Sequence, residues 1–418
     1  MSATFASRLA VLLVPGLLAG LAGCSPTAPP ELKATDGRGP ITYVQGKDNN
    51  GVVRLIIDQW NAAHPDEQVT LKEQSDNANQ QHDDLVQNFQ ARNANYDVVS
   101  VDVIWTPEFA ARGWLQPLTG ALALPDQDAL LPATLATATY QNTQVAAPIT
   151  SDGGLLYYRS DLLPTPPNNW AQLIADCAVA REHHIDCYAG QFAQYEGLTV
   201  NLSEQINGAG GTVVGSDGIT PTLQSTEART GLEQLVSAFA NGDIPKAALT
   251  FTEEDGRQAF ESGSLLFYRN WPYQYSLSSG PGSAVAGKFS VAPLVTSSTL
   301  GGHNAAISVY SQHKATARDF LEFLQSEEIQ KNFFVLKASN APVRTVVYSD
   351  PEVIAAAPYM PALLASITRA VPRPVTPFYP AVTAAIQANA FAALSGETPI
   401  DTALANMQAA IAAATQQH

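Results

Sequence analysis

The feature that most constrains the fold is an alternation of short β-type runs with longer helical patterns. Residues 41–45 have the composition of a strand, and apolar side chains then recur at helical spacing over residues 52–60. Residues 69–72 predict a second strand, residues 83–92 a second helix, and residues 96–103 a third strand rich in β-branched side chains. The third strand is apolar enough to be central and buried. This alternation predicts an α/β fold whose sheet is at least partly parallel.

The same alternation continues to the end of the chain. Further strands are predicted over residues 154–159, 265–268 and 305–310, and further helices over residues 170–181, 198–207, 226–241 and 403–414. From residue 316 onward the pattern is almost entirely helical. The chain of 418 residues exceeds what one hydrophobic core usually supports, so we expect two α/β lobes.

The N-terminus has the pattern of a bacterial lipoprotein signal. Arg8 precedes an apolar run over residues 9–21, and the sequence Leu-Ala-Gly-Cys ends at Cys24. Residues 1–23 are therefore predicted to be a signal peptide, and Cys24 to carry the lipid, including palmitate. Residues 24–40 are rich in proline and glycine, which favours a solvated tether. An ordinary secretory signal with a chance cysteine, or a buried hydrophobic helix, are the alternatives.

The charge balance excludes two classes of partner. The chain has 38 acidic and 22 basic residues, giving a net charge of −16. This charge would repel nucleic-acid phosphates and anionic lipid surfaces. We therefore expect no nucleic-acid partner, and contact with the membrane through the lipid alone.

The cysteines predict one disulfide. Three occur, and with Cys24 assigned to acylation, Cys177 and Cys187 form an even pair in an oxidising compartment. His183 and His184 lie between them, so a Cys/His zinc site is the alternative, although the spacing matches no standard zinc pattern.

Familiar catalytic motifs are scarce. The sequence contains no G-x-S-x-G elbow, H-E-x-x-H motif or Walker loop. This scarcity favours a binding protein without cofactor, metal or catalytic residues. Paired carboxylates of glycosidases have no short signature, so an enzyme is not excluded by motif alone.

Several longer segments together carry a family resemblance. They are the lipobox, the segment YDVVSVDVIWTPEFAARGWLQPL, the segment APITSDGGLLYYRSDLL, the tripeptide Asn270-Trp271-Pro272 and the segment ATARDFLEFLQSEE. In their order and spacing they resemble the sugar-binding lipoproteins of extracellular solute-binding protein family 1, which serve bacterial ABC importers. Within that family, the chain looks most like the trehalose-binding lipoproteins of mycobacteria.

The resemblance implies a periplasmic-binding-protein type II fold, with two α/β lobes, a hinge and a cleft between the lobes. It places the N-terminal lobe at residues 41–148 and 302–341, and the C-terminal lobe at residues 149–301 and 342–418. It implies a monomeric, lipid-anchored receptor at the extracytoplasmic face of the cell membrane. That receptor would bind trehalose, maltose or a related α-glucoside and deliver it to a permease with a cytoplasmic ATPase.

The candidate ligand contacts combine carboxylates, arginine and aromatic rings, which together suit a pyranose with an apolar face and a rim of hydroxyls. The polar candidates are Asp102, Asp152, Glu196, Glu254, Asn304 and Arg344, and the stacking or lining candidates are Trp271, Tyr273 and Tyr379. Asp102 and Trp271 also lie just past strand ends, where ligands of open α/β sheets bind. At position 152 the relatives carry asparagine, so Asp152 departs from the family pattern.

Structural alternatives exist for some of these residues. Asp102 within an apolar strand could be a hydrogen-bond hub, and Glu254 could simply stabilise a helix start. Two other functions also stay open. One is an extracytoplasmic glycoside hydrolase that uses two of the acidic candidates, and the other is a polyol-phosphate or oligopeptide receptor on the same fold.

Overall fold

The computed structural model of the protein describes residues 35–416. The predicted signal peptide, Cys24 and most of the predicted tether lie outside the described residues. Within residues 35–416, no helix is both long and apolar enough to cross a bilayer.

The described residues alternate strands and helices through most of their length. The strands are β1 Ile41–Gln45, β2 Val69–Glu73, β3 Val98–Asp102, β4 Thr139–Tyr140, β5 Thr143–Gln144, β6 Ala147–Pro148, β7 Leu155–Tyr158, β8 Asp186–Ala189, β9 Leu265–Asn270, β10 Ser290–Pro293, β11 Thr299–Leu300, β12 His303–Ile307 and β13 Val371–Pro372. The α-helices are α1 Val52–Ala63, α2 Ala78–Gln90, α3 Thr106–Ala111, α4 Pro132–Thr137, α5 Trp170–Glu182, α6 Glu196–Gly208, α7 Thr226–Asn241, α8 Glu253–Glu261, α9 Gln274–Ser278, α10 Lys314–Leu324, α11 Glu327–Ile329, α12 Pro351–Ala356, α13 Met360–Thr368, α14 Tyr379–Leu394 and α15 Ile400–Thr415.

A first sheet has the order β2-β1-β3-β12-β6. β1 is parallel to β2 and β3, whereas β12 returns from far along the sequence and runs antiparallel to β3 and β6. The register sets His303 opposite Asp102, at the carboxyl end of β3. Ligand sites of open α/β sheets form at such ends, so this register brings two polar side chains to the expected place.

A second sheet has the order β10-β7-β9-β8. β7 is antiparallel to β9 and β10, and β8 is parallel to β9. All six residues of β9 are buried, because the strand is central and helices cover the sheet. The apolar faces of α14 and α15 pack against α6 and α7 in the same core, through residues such as Val382 and Leu404.

Short strands pair with one another where the chain passes from one sheet to the other. β11 pairs in parallel with β13, and Gly153 forms a bridge with Leu300. The pairing of β13 delivers Arg373, the next residue, to the region between the sheets. The observed architecture is α/β with two sheets, as the alternating sequence pattern predicts.

Most element boundaries agree with the sequence to within a few residues, and two differences have a clear physical cause. The helix predicted over residues 83–92 begins at Ala78, because the Asn77 side chain accepts hydrogen bonds from the backbone of Asn79 and Gln80. The helical C-terminal region is interrupted by β13. This strand contains Pro372, and proline cannot continue a helix. Apolar periodicity alone detects neither the early cap nor the short strand.

A disulfide links Cys177 in α5 to Cys187 in β8, with an S–S distance of 2.04 Å. It ties the helix to the edge strand that follows. The two thiols are thereby occupied, which is a correction to the zinc-site alternative for His183 and His184. Among residues 35–416 no group of His, Cys, Asp and Glu side chains is arranged to hold a metal ion.

Candidate functional site

A cleft of about 500 Å³ lies between the two sheets and takes lining residues from both. β3 of the first sheet ends at Asp102, and β12 begins at His303, and both residues line the cleft. β9 of the second sheet is followed directly by Trp271, and α6 begins with Glu196. The polar groups therefore converge on one space from separate parts of the sequence.

The structure brings six of the nine predicted contact residues to this cleft. They are Asp102, Asp152, Glu196, Glu254, Trp271 and Tyr273. The role of these residues in binding stays a prediction, but their placement together is a property of the fold.

Three predicted contact residues are not among those that line the cleft. Asn304 is fully buried and donates through Nδ2 to the Thr106 hydroxyl and to the Thr137 carbonyl, at 3.1 Å each. It connects β12 to neighbouring elements, as a buried amide must when no water reaches it. The structure thus places Asn304 outside the lining of the cleft, and a ligand contact at this position stays an untested prediction.

Arg344 and Tyr379 also lie outside the lining of the cleft, for different reasons. Arg344 lines a separate surface pocket and donates through Nε to the Gln325 carbonyl at 2.5 Å. Tyr379 is buried beneath the cleft at the start of α14, and its hydroxyl donates to the Glu196 carboxylate. It supports a lining residue rather than forming the lining itself.

The central polar feature of the cleft is an arginine that the sequence analysis missed. Arg373 donates to Asp102 Oδ1 at 2.7 Å and to Oδ2 at 3.3 Å, and also to Glu196 Oε1 at 2.8 Å. Its side chain is only 2% exposed. Its Nε is buried without a hydrogen-bond partner among residues 35–416. Arg373 thus connects the carboxylate at the end of β3 to the carboxylate at the start of α6.

Glu196 is held by two further donors besides Arg373. Thr383 donates to Oε2 at 2.6 Å, and the Tyr379 hydroxyl donates to Oε1. Burial raises the pKa of Glu196, and the positive charge of Arg373 opposes this effect without cancelling it. The carboxylate is consequently fixed in position before any ligand arrives.

A signal for Arg373 does exist in the sequence. The residue lies between Pro372 and Pro374, in a short stretch of the C-terminal region that cannot be helical. An arginine held by prolines at a break between helices is a reasonable candidate for a site. Periodicity gave no reason to choose it, since its partners Asp102 and Glu196 are 271 and 177 residues away.

Trp271 is half-buried and provides the aromatic surface of the cleft. The guanidinium of Arg269 lies 3.8 Å from the centre of its ring. A Cβ added to Gly301 would come within 3.0 Å of the ring, so glycine at this position leaves room for the indole edge.

The start of α8 supplies two more carboxylates. A capping box formed by Thr252 and Asp255 begins the helix and sets Glu253 and Glu254 in its first turn. The Tyr273 hydroxyl donates to Glu254 Oε1 at 2.8 Å. Arg257 donates to Glu254 Oε2 at 2.6 and 2.9 Å. Glu254 is therefore both a first-turn acid and a lining residue of the cleft.

Asp152 lies where the chain passes between the two sheets. Its backbone exchanges hydrogen bonds with Gly301, at 3.1 and 2.8 Å. Burial raises the pKa of the Asp152 carboxyl to about 7, and the negative charge of Asp102 raises it further against the opposing charge of Arg269. An ionised acid group at this position therefore lowers the free energy of unfolding at and above neutral pH.

Comparisons with known proteins agree with this architecture. A sequence model of the family described as bacterial extracellular solute-binding protein matches residues 46–331. A probable ABC transporter-binding protein of Deinococcus radiodurans is 31% identical over 303 residues, which cover 68% of this chain and 71% of that protein.

Solved structures are similar over nearly the whole chain. The maltose-bound MalE3 protein of T. maritima has a TM-score of 0.85 and 32% identity, covering 89% of this chain and 98% of that chain. The GacH receptor of Streptomyces glaucescens, solved unliganded and with acarbose, has a TM-score of 0.80 and 22% identity, covering 91% and 99%. These similarities confirm the predicted fold class, with two α/β lobes, a hinge and a cleft between them.

Proposed function

The chain belongs to the family of bacterial extracellular solute-binding proteins, and from that premise we propose that it captures an α-glucoside in its cleft for an ABC importer. Maltose, trehalose and related α-glucosides are the ligands we propose. MalE3, the similar structure with 32% identity, is a maltose complex. The coarser statement, that the fold is that of sugar and polyol receptors of ABC importers, rests on the comparisons themselves.

One observation carries the proposal: an indole surface and fixed polar groups meet in a single cleft. The C–H face of a pyranose can stack on Trp271. Neighbouring hydroxyls can pair with the carboxylates of Asp102 and Glu254, which line the cleft and accept hydrogen bonds. A cleft of about 500 Å³ lies in the range usual for small-molecule sites.

The ion pair across the cleft supports capture by closure. Asp102 ends β3 of the first sheet, whereas Glu196 begins α6, which packs in the core of the second sheet, and Arg373 follows β13. A ligand that contacts both sides binds the closed form better than the open form, and so shifts the population toward closure. We propose the hinge near residues 147–150 and 300–304, and the lobe boundaries given in the sequence analysis.

The remaining parts of the proposal concern the location and the partners of the protein. We propose acylation at Cys24, with residues 24–40 as the tether, so that a monomeric receptor stays close to a permease and its ATPase. Mass spectrometry of the membrane fraction tests this part, since a diacylglyceryl group on an N-terminal Cys24 is expected. An unmodified chain released into the medium would contradict it.

A thermal-shift series tests the ligand class, because a ligand that binds only the native state raises its melting temperature. We expect shifts with maltose or trehalose, and smaller or no shifts with ribitol, glycerol phosphate and a tripeptide. Asp102→Ala and Trp271→Ala should each reduce the affinity at least tenfold, which corresponds to about 1.4 kcal/mol. Asp58→Ala, which removes an exposed carboxylate of α1, is the matched control. Unchanged affinity in either cleft variant would remove that residue from the site.

We propose binding without a bond-making step. The family and the similar structures are transport proteins, which favours this view over the glycoside hydrolase alternative. Incubation of the purified protein with maltose, trehalose or maltotriose should release no glucose. Enzyme-dependent release that is lost in Asp102→Ala or Glu254→Ala would instead indicate a hydrolase.

A further inference from the structure

We propose that Arg269 is a positioning residue that holds the Trp271 indole ready for stacking in the cleft. Arg269 itself is 1% exposed and touches no ligand space, so it would act through the tryptophan. The inference rests on the proposed function, because it assigns a cause to the stacking surface on which sugar binding depends.

The two residues share one face at the end of the central strand of the second sheet. Arg269 lies in β9 opposite Leu156 of β7, and Trp271 follows two positions later. Side chains two apart along a strand point to the same side, which sets the guanidinium under the indole. The guanidinium carbon is 3.8 Å from the ring centre, well within cation–π distance.

A charged group this deeply buried is expensive unless it is fully paired. Glu204 accepts from Arg269 Nε at 2.8 Å and from a terminal nitrogen at 2.6 Å, and Gln191 accepts from the other terminal nitrogen at 3.1 Å. Glu204 Oε1 also accepts from the Thr299 backbone at 3.1 Å. These contacts fix the plane of the guanidinium, and not only its charge.

The neighbouring backbone also leaves space for this pair. A Cβ on Gly154 would come within 2.8 Å of the Glu204 carboxylate and 2.9 Å of the Arg269 guanidinium. Because Gly154 has no side chain, it leaves room for the buried ion pair between Arg269 and Glu204.

The indole is restrained on two sides by this arrangement. Arg269 covers one face, and the ring edge lies close to the backbone at Gly301. The face opposite the guanidinium is what remains for a ligand in the cleft. A ring that is already fixed loses little conformational freedom on binding, which increases affinity without any added contact.

The test labels the five tryptophans with 5-fluorotryptophan and follows their ¹⁹F resonances in the sugar-free protein, with Trp271→Phe identifying the signal of interest. The parent should give one narrow Trp271 signal. The double variant Arg269→Met/Glu204→Gln removes the cation and leaves no unpaired buried carboxylate, and its Trp271 signal should broaden or split. The other four signals should keep their widths.

Arg269→Lys is the second variant, and it separates shape from charge. Lysine can keep the ion pair with Glu204 but offers no planar surface to the ring. A broadened Trp271 signal is expected here as well, in a protein whose other signals are those of the parent. A narrow, single Trp271 signal in both variants would overturn the inference.

A double-mutant cycle on maltose or trehalose affinity links the contact to binding. The Arg269→Met/Glu204→Gln pair should weaken binding at least fivefold when Trp271 is present, and less than twofold in a Trp271→Leu background. Equal losses in both backgrounds would show that Arg269 does not act through Trp271. If no sugar binds even the parent, the proposed function fails, while the ¹⁹F linewidths still decide whether Arg269 holds the ring.

Discussion

Replacing Asp152 by asparagine should stabilise the protein at neutral and alkaline pH, and not at acidic pH. Burial and the charge of Asp102 raise the pKa of this carboxyl from an ordinary 3.8 to about 7. Below pH 3.8 the group is protonated in both the folded and the unfolded chain, so it causes no pH dependence. Between these two values the folded state binds the extra proton, and stability falls as the pH rises.

The magnitude follows from the pKa values. About three pH units at about 1.4 kcal/mol each give an upper limit of about 4 kcal/mol at pH 8. Asp152 is only half-buried, and water screens part of this effect, so we expect Asp152→Asn to gain about 2 kcal/mol. Asparagine keeps the size of the side chain and carries no charge at any of these pH values.

Calorimetric melting from pH 4 to pH 9 measures the effect as a difference between variant and parent. For a unit of roughly 380 residues, 2 kcal/mol corresponds to an increase in melting temperature of about 2 to 3 °C. The difference should be near zero at pH 4, grow through pH 7 and then level off. Asp58→Asn, at an exposed position of α1, corrects for the loss of one surface carboxylate. Parallel curves for Asp152→Asn and the parent over the whole range would refute the reasoning.

Two further substitutions test the packing around the cleft and the link at the edge of the second sheet. Gly301→Ala brings a methyl group to about 3.0 Å from the Trp271 ring and should weaken sugar binding several-fold in calorimetry, whereas Gly282→Ala, with no heavy atom within 4 Å of its Cβ, should not. Replacing Cys177 and Cys187 together by alanine opens a loop with a sequence separation of 10 residues and should cost about 3 kcal/mol of unfolding free energy, with sugar affinity unchanged because neither residue lines the cleft.

The regular elements were predictable because their signals are local. Alternating apolar patterns located most strands and helices, and the helix over Thr226–Asn241 has the predicted bounds. The exceptions depend on single contacts. The Asn77 side chain extends α2 toward its N-terminus, and β13 exists because it pairs with β11, more than 70 residues earlier.

The cleft was predictable only in part, for a related reason. Asp102 and Trp271 could be chosen because they lie at the ends of strands, where ligand sites of open α/β sheets form. Arg373 could not be chosen in this way, because its importance comes from carboxylates far away in the sequence. Conversely, Arg344 has the right chemistry, but the fold directs it to the Gln325 carbonyl outside the cleft.

The most direct test of the central claim is a calorimetric titration of the purified protein with maltose and with trehalose. The account predicts saturable binding of at least one of them at one site per chain, and a loss of at least tenfold in affinity in Trp271→Ala. No saturable heat with either sugar, or equal affinities for the parent and Trp271→Ala, would contradict the claim that this cleft is a receptor for α-glucosides.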